Sequence, residues 1–237
     1  MNYVKWKNRT WEVHERWGIV HPDYPFEYSD KSCVEVRDDE LILKTKYKPK
    51  QIQGFGLVPF AHGKAICMDQ FYFGSYTIIC KLPAGNYLWP AVWMYDHKTW
   101  PPEIDIMEAY SNSCGSYFNI DFNTLKGFFK SLKNPYKIEA NYHINEGKGL
   151  GADRVDFNWF TDLNKELIFE MVWSPDMIAM FCNGNIYSYI TDKQIMSNFQ
   201  QPMRFILSNG IRKDSTCASD SEFVIKDFSY VPVNYNS

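Results

Sequence analysis

The sequence predicts an all-β fold, a jelly-roll-type sandwich of two packed antiparallel sheets. Short segments in which apolar and polar residues alternate recur along the chain, and turn-forming residues separate them. Helical periodicity is nearly absent, and only Asp192–Phe199 is interpreted as one short helix, with Asp192 as its N-cap. So many short antiparallel strands in one chain favour two packed sheets over a single open sheet.

Each strand is assigned from an alternating or apolar run and from the turn that closes it. The strongest turn signal is Asn183-Gly184, which predicts a hairpin. Met1–Lys31 is aromatic and irregular and is interpreted as a segment that wraps the sandwich edge, and Gly54–Asp69 as a loop that runs into a strand. The predicted strands are Cys33–Arg37, Leu41–Tyr47, Phe71–Leu82, Tyr87–Tyr95, Glu103–Glu108, Tyr117–Phe122, Ile138–Asn145, Leu167–Trp173, Met177–Cys182, Asn185–Ile190, Met203–Leu207 and Glu222–Pro232.

Length and charge favour one globular domain over residues 1–237, which we expect to be a monomer. The chain is 45% hydrophobic, enough for a substantial core, and its net charge of −3 gives no reason to expect a nucleic acid partner. No apolar run reaches membrane-spanning length, so no membrane association is predicted. Met1–Trp6 lacks the apolar core of a signal peptide, so export would need a signal that has been removed or another route.

The cysteines do not form a metal-binding or disulfide pattern. They are scattered, without C-x-x-C spacing or histidine pairs at ligand spacing, so no metal site is predicted from them. Several lie inside apolar strand patterns, which favours buried free thiols. The six positions are Cys33, Cys67, Cys80, Cys114, Cys182 and Cys217.

Four lysines share one face of the second predicted strand and its extension, namely Lys44, Lys46, Lys48 and Lys50. We interpret them as a solvated edge strand that its charges protect from pairing with other chains. The alternative is a basic strip that binds a sulfated polysaccharide.

Three carboxylates mark the most informative strand, which contains Glu103, Asp105 and Glu108. Glu103 and Asp105 share one face, and a β-bulge at Ile106–Met107 would return Glu108 to that face. The Cα atoms of the two glutamates would then lie roughly 13 Å apart. Side chains that lean inward shorten this to about 5 Å, the carboxyl separation of a retaining glycosidase.

Aromatic and polar residues accompany the acids and are candidates for binding sugar rings, whose apolar faces pack on aromatic side chains. Core packing is the competing interpretation, above all for the two tryptophans of the apolar strand before the acids. The candidate substrate-binding residues are Trp89, Trp93, Trp100, Tyr110, Asn141 and His143.

Glu103-Ile104-Asp105-Ile106-Met107-Glu108, which follows Leu88–Met94, resembles the bulged E-x-D-x-x-E motif of glycoside hydrolase family 16. Gly74–Pro83 is similar to a strand of that family, and Val172–Asp176 with Phe181–Gly184 is similar to its Trp-Thr-Pro-Asp…Tyr-Val-Asp-Gly hairpin. The chain departs from the family at Thr77 and Ile79, where Glu and Arg are usual.

The resemblance implies an open substrate cleft on a concave sheet, with Glu103 as nucleophile, Glu108 as general acid/base and Asp105 hydrogen-bonded to Glu103. It implies that catalysis needs no cofactor, although a structural Ca²⁺ is common in the family, and Asp227 is a weak clue to one. The expected protein is an extracellular or periplasmic endo-hydrolase of a β-1,3- or β-1,3-1,4-glucan. The alternatives are a galactan hydrolase such as an agarase, porphyranase or carrageenase, and a non-catalytic lectin on the same sandwich.

Overall fold

The computed structural model describes residues 2–13, 20–112, 114–117, 124–125, 138–145, 148–151, 165–212 and 220–233. These residues form two large sheets, as the alternation in the sequence predicts. Neighbouring strands run antiparallel, except that β3 and β6 pair in parallel. The strands are β1 Tyr3–Trp6, β2 Arg9–Glu12, β3 Glu27–Ser29, β4 Val34–Arg37, β5 Glu40–Ile52, β6 Gly56–His62, β7 Lys64–Cys67, β8 Gly74–Lys81, β9 Leu88–Tyr95, β10 Glu103–Ala109, β11 Ile138–Asn145, β12 Lys148–Gly151, β13 Leu167–Trp173, β14 Ile178–Cys182, β15 Asn185–Ile190, β16 Arg204–Ile211 and β17 Ser221–Pro232.

The two sheets have different strand orders, and we call them the front and back sheets. The front sheet runs β1-β2-β7-β16-β9-β10-β11-β12 and contains the acidic strand β10 near one side. The back sheet runs β15-β14-β13-β8-β17-β5-β6-β3, and β4 also pairs with β5. Strands that are distant in sequence are therefore neighbours in both sheets, as in a jelly-roll sandwich.

The main core lies between the sheets, where their inward faces pack. Val92, Ile104 and Leu207 from the front sheet and Tyr76 and Phe169 from the back sheet are fully buried in one apolar cluster. Burial alternates along β8 because successive side chains of a strand point to opposite faces. On the front sheet, the polar residues that alternate with the apolar ones face outward, and the three acids of β10 are among them.

The chain crosses from the back sheet to the front sheet at Gly63, between β6 and β7. A Cβ atom at Gly63 would lie 2.4 Å from the Cys33 carbonyl oxygen, so only glycine fits here. The predicted single strand within Gly54–Asp69 is therefore two strands in different sheets.

The Asn183-Gly184 hairpin is confirmed, and both residues have positive φ, 49° and 77°. The predicted helix is present but shorter, with α1 spanning Lys193–Met196. The Asp192 carboxylate accepts a hydrogen bond from the Ile195 amide at 3.0 Å, which confirms the predicted N-cap.

The interpretation of the N-terminal segment as irregular is wrong for β1, β2 and β3. Strands β1 and β2 form a hairpin that extends the front sheet at its edge. Trp6 and Trp11 bury their rings in the core, and each stabilises the fold by at least about 2 kcal/mol. Strands of three or four residues are too short to give a clear alternation in the sequence.

The interpretation of the lysine strand as an edge is wrong for its first half, because residues 41–45 of β5 pair with β17 on one side and with β4 or β6 on the other. Residues 46–52 have β6 as their only partner among the described strands, as an edge strand does. Lys44 Nζ lies 2.8 Å from a Glu35 carboxylate oxygen, and Lys48 Nζ lies 2.8 Å from Asp30. The sequence did not show which carboxylates these lysines would meet. The alternative role in binding a sulfated polysaccharide stays a prediction.

Four cysteines are buried free thiols, as predicted: Cys33, Cys67, Cys80 and Cys182. Cys114 is also a free thiol, but it is exposed. Cys217 and most of the predicted strand Tyr117–Phe122 lie outside the described residues. Within the described ranges, no helix is long and apolar enough to cross a membrane.

Candidate active site

The acids lie on the outward face of the front sheet, in register with polar residues of β11 and aromatic residues of β9. Glu103 pairs with His143 on β11 and with Tyr95 on β9. Asp105 pairs with Asn141 and Trp93. Directly paired residues of antiparallel strands point to the same face, so the register alone brings these side chains together.

A β-bulge in β10 returns Glu108 to the outward face, as predicted. Asp105 pairs with Asn141 and Glu108 with Glu139, so three steps on β10 match two steps on β11. Ile106 pairs with neither neighbouring strand. An unpaired bulge residue has a backbone carbonyl that needs another hydrogen-bond partner.

Tyr187 of β15 in the back sheet supplies that partner. Its hydroxyl donates a hydrogen bond to the Ile106 carbonyl, across the space between the sheets. The Tyr187 side chain is buried, and burial raises the pKa of its phenol well above the ordinary value. The hydroxyl therefore stays protonated, and its hydrogen bond stabilises the bulge from the core side of the front sheet.

The Glu103 carboxylate accepts a hydrogen bond from Trp100 Nε1 at 2.9 Å, and His143 Nε2 lies 3.5 Å from its other oxygen. Burial is the main cause that raises the pKa of Glu103, to about 8, and the neighbouring charge of Asp105 adds to it. The Trp100 hydrogen bond and His143 act in the opposite direction.

Asp105 lies between the two glutamates and is 3% exposed. His143 Nε2 lies 3.0 Å from Asp105 Oδ2, and the Asp105 carboxyl is also hydrogen-bonded to Glu103. Burial, followed by the charge of Glu108, raises the pKa of Asp105 well above its ordinary value. Because burial and the neighbouring carboxyl groups raise the pKa of both Glu103 and Asp105, the site favours a proton on one of the two.

Glu108 has three hydrogen-bond partners and is 7% exposed. Trp89 Nε1 donates to Glu108 Oε1 at 2.8 Å, and Asn141 Nδ2 donates to Glu108 Oε2. The Tyr110 hydroxyl is the third partner. Burial raises the pKa of Glu108, and the three hydrogen bonds oppose this because they favour the carboxylate.

The structure brings every predicted site residue to this face. Trp89, Trp100, Tyr110, Asn141 and His143 each contact at least one of the carboxyl groups through a hydrogen bond or a close approach. Their roles in binding a substrate stay predictions.

Trp93 lies beside Asp105 in the register of the sheet. Its Nε1 donates to Ser208 Oγ at 3.3 Å, and Lys64 Nζ lies 5.1 Å from the centre of its ring. Both Trp89 and Trp93 are half-buried on the outward face of the front sheet and lie outside the main core. Trp93 packs there against a smaller apolar cluster of Ile66, Tyr95 and Ile206, so the competing interpretation of core packing applies to it in part.

The sequence did not reveal several neighbours of the site. The Tyr24 ring lies 5.0 Å from that of Trp89, and the Arg212 guanidinium lies 4.3 Å from the Tyr110 ring. Both come from segments distant in sequence, and no local pattern marks them.

Glu103, Asp105 and His143 place three oxygen and nitrogen atoms within 4.8 Å of one another. His143 Nε2 lies 3.0 Å from Asp105 and 3.5 Å from Glu103, so we interpret the three residues as a hydrogen-bonded group that holds a proton. Asp227, the weak clue to a structural Ca²⁺, lies 3.5 Å from Lys7 Nζ. A structural Ca²⁺ stays a prediction.

A strand with two glutamates around a buried aspartate, lined by tryptophans, has the arrangement that a two-carboxylate glycoside hydrolase requires. The family model "Glycosyl hydrolases family 16" matches residues 22–225. The chain belongs to this family.

Curated proteins and solved structures are similar to the chain. Glucan endo-1,3-beta-glucosidase A1 from Niallia circulans is 25% identical over 191 residues, which are 75% of this chain and 25% of that protein. A beta-1,3-glucan-binding protein from Penaeus monodon is 29% identical over 109 residues, 40% of this chain and 28% of that protein. The chain thus matches about a quarter of the length of these relatives.

The catalytic domain of an endo-1,3-beta-glucanase (laminarinase) from Thermotoga petrophila has the same fold, with a TM-score of 0.75. It is 18% identical, and the match covers 98% of this chain and 94% of that one. The jelly-roll sandwich predicted from the sequence is thereby confirmed.

Proposed function

We propose that the chain is an endo-acting hydrolase that cleaves internal linkages of a β-1,3- or β-1,3-1,4-glucan and retains the anomeric configuration. The observation that carries the proposal is the bulged strand β10, on which Glu103 and Glu108 flank Asp105 on one outward face. The names of the relatives, a glucan endo-1,3-beta-glucosidase and a laminarinase, support a β-1,3-linked substrate.

In the first step, the Glu103 carboxylate attacks the anomeric carbon and the glycosidic C–O bond breaks, while Glu108 gives its proton to the leaving oxygen. In the second step, Glu108 takes a proton from water, whose oxygen displaces Glu103 from the anomeric carbon. Two inversions give net retention. The reaction as written uses only these side chains and water.

Asp105 makes the attack by Glu103 possible at neutral pH. Because Asp105 and Glu103 are hydrogen-bonded, a proton held by the pair can reside on Asp105 while Glu103 carries the negative charge. His143 and Trp100 also stabilise the charged Glu103, the first by its position at 3.5 Å and the second by donating at 2.9 Å.

The aromatic residues give the site its fit to a sugar chain. Trp89 and Trp93 lie on one face of β9 with Ala91 between them, and Trp100 is 50% exposed beside Glu103. Flat aromatic surfaces on both sides of the acids suit an extended polymer that continues past the cleaved bond, which is the requirement for internal cleavage.

The experiment is hydrolysis of laminarin and lichenan, followed by proton NMR during the first minutes. We expect new reducing ends in the β configuration and oligosaccharides of mixed length. Glu103→Gln is the control, since it removes the charge and keeps the shape, and it should abolish nearly all turnover. An initial α product, or near-normal activity of a folded Glu103→Gln protein, would contradict the proposal.

A non-catalytic glucan-binding protein is the second candidate, because a relative 29% identical over 109 residues is named for binding. Binding of laminarin without any release of reducing ends would favour it. Agarose, porphyran and carrageenan belong in the same panel, because cleavage of one of these instead of a glucan would indicate a galactan hydrolase. We further propose that the protein acts as a monomer in an extracellular or periplasmic space, where polymeric glucans are found.

A further inference from the structure

Tyr110 follows the bulge and points to the same face as Glu108. Ala109 between them is fully buried in the main core, so alternation directs Tyr110 outward. Its ring lies 5.9 Å from the Trp89 ring, and Trp89 itself donates to Glu108. The Arg212 guanidinium covers the Tyr110 ring at 4.3 Å. These contacts hold the Tyr110 hydroxyl in its hydrogen bond with the Glu108 carboxyl group.

The three partners of Glu108 differ in what they can do when its charge changes. Trp89 Nε1 and Asn141 Nδ2 are only donors. They donate hydrogen bonds to the carboxylate, but they cannot accept a hydrogen bond from the acidic proton of protonated Glu108. The Tyr110 hydroxyl both donates and accepts, so it is the one of the three that can pair with either form.

We propose that Tyr110 is a positioning residue whose hydroxyl donates to the Glu108 carboxylate and accepts from the Glu108 carboxylic acid. The inference rests on the proposed function, in which Glu108 changes its protonation state twice in each cycle. In glycosylation the Glu108 proton moves to the leaving oxygen, and the Tyr110 hydroxyl turns from acceptor to donor. In deglycosylation a proton from water returns to Glu108, and the hydroxyl turns back. Tyr110 keeps its own proton throughout, and burial raises the pKa of its phenol well above the ordinary value.

Several other titratable or charged groups surround Glu108 and Tyr110, and Tyr110→Phe leaves all of them in the chain. They are Glu103 and Asp105 on β10, Glu139 and His143 on β11, Tyr24 before β3 and Arg212 after β16.

Tyr110→Phe removes only the hydroxyl and keeps the ring contacts. A hydrogen bond is stronger to a carboxylate than to a carboxylic acid, so its loss should raise the pKa of Glu108 by about one unit. Since glycosylation needs protonated Glu108, the alkaline limb of kcat/KM on laminarin should move up by about one pH unit. Tyr189→Phe makes the same change at an exposed tyrosine and should leave the limb in place.

The pKa of Glu108 is also measurable without activity, from the carboxyl carbon in NMR of protein labelled in its glutamates. The Glu108 signal is identified by its loss in Glu108→Gln. An upward shift in Tyr110→Phe supports the inference even when the wild type cleaves no glucan, an outcome that would remove the proposed function alone. An unchanged or lowered Glu108 pKa overturns the role of Tyr110 even when the wild type is an active glucanase.

Discussion

Two buried polar clusters in this protein respond to pH in opposite directions. The first is the acidic cluster around Glu103 on the front sheet, where burial raises the pKa to about 8. The second is a row across the back sheet, in which Ser29, His62, Thr45 and Ser221 are register partners that face Asn209. There burial lowers the pKa of His62 to about 3. The buried atoms Ser29 Oγ, His62 Nδ1 and Asn209 Oδ1 have no partner among the described residues.

The signs follow from which state binds more protons. For Glu103, with an ordinary pKa of 4.5, the folded state binds more protons, so its contribution to stability falls as the pH rises from 4.5 to 8. For His62, with an ordinary pKa of 6.5, the unfolded state binds more protons, so its contribution falls as the pH drops from 6.5 towards 3. Burial alone therefore does not decide whether a site loses stability at high or at low pH. A buried group that is charged as a base loses stability as the pH rises, and one that is charged as an acid loses it as the pH falls.

The largest expected effect tests whether Glu103 and Glu108 have separate roles, as nucleophile and as general acid/base. Glu108→Ala should lose at least about 100-fold in turnover on polysaccharide, because it removes the proton donor. It should keep measurable glycosylation with an activated aryl glycoside, whose leaving group departs unassisted. Azide should then restore turnover and give a β-glycosyl azide, while Glu103→Ala should give, if anything, the α-azide. Reversed anomers, or no rescue of either variant, would show that the two roles are misassigned.

The next effect tests whether the acidic cluster depends on the bulge beneath it. Tyr187→Phe leaves the Ile106 carbonyl buried without its partner, which should cost about 1–3 kcal/mol of stability. It should also lower kcat/KM by about tenfold or more, since Glu108 shifts relative to Glu103. Urea unfolding and kinetics measure the two effects.

Tyr142→Phe is the matched control for this experiment. The Tyr142 hydroxyl lies 2.7 Å from Ser188 Oγ and also joins the two sheets, but its partner is a side chain and not the carbonyl of the bulge residue Ile106. It should lose similar stability and keep kcat/KM. Equal loss of kcat/KM in both variants would mean that the bulge has no special dependence on Tyr187.

The smallest effect isolates the back-sheet row. The wild type should lose free energy of unfolding between pH 7 and pH 5, and His62→Gln should make this loss smaller by about 2 kcal/mol. The figure follows from about 1.4 kcal/mol for each pH unit below the ordinary histidine pKa of 6.5. Urea titrations at the two pH values measure it, and His21→Gln, at an exposed histidine, should leave the difference unchanged. A pH dependence in His62→Gln equal to that of the wild type would mean that His62 is not the group that titrates.

Local patterns carried most of what the sequence could predict. The bounds of β11, Ile138–Asn145, agree with the prediction because its alternation is regular over the whole strand. The bulge was also predictable, because only an extra residue places Glu108 on the face of Glu103. Fold and candidate acids were therefore accessible from alternation and from the spacing of three carboxylates.

Long-range partners were not predictable, because they depend on which strands become neighbours. Tyr24 and Arg212 reach the site from opposite ends of the chain, and nothing local marks either. Lys44 of β5 could not be recognised as paired, because only sheet pairing brings the carboxylates of Glu35 and Glu222 beside it. The role of Tyr187 needed the second sheet in place.

The bulge also fixes where strand β10 can change length. With Ile106 as the supernumerary residue, the odd positions face outward before it and the even positions after it. Loss of one residue at 106 or 107 restores plain alternation and keeps all three carboxylates on the outward face. Loss of Ile104 instead would turn Asp105 inward. The strand therefore tolerates a one-residue deletion in phase only at the bulge, between the second acid and the third.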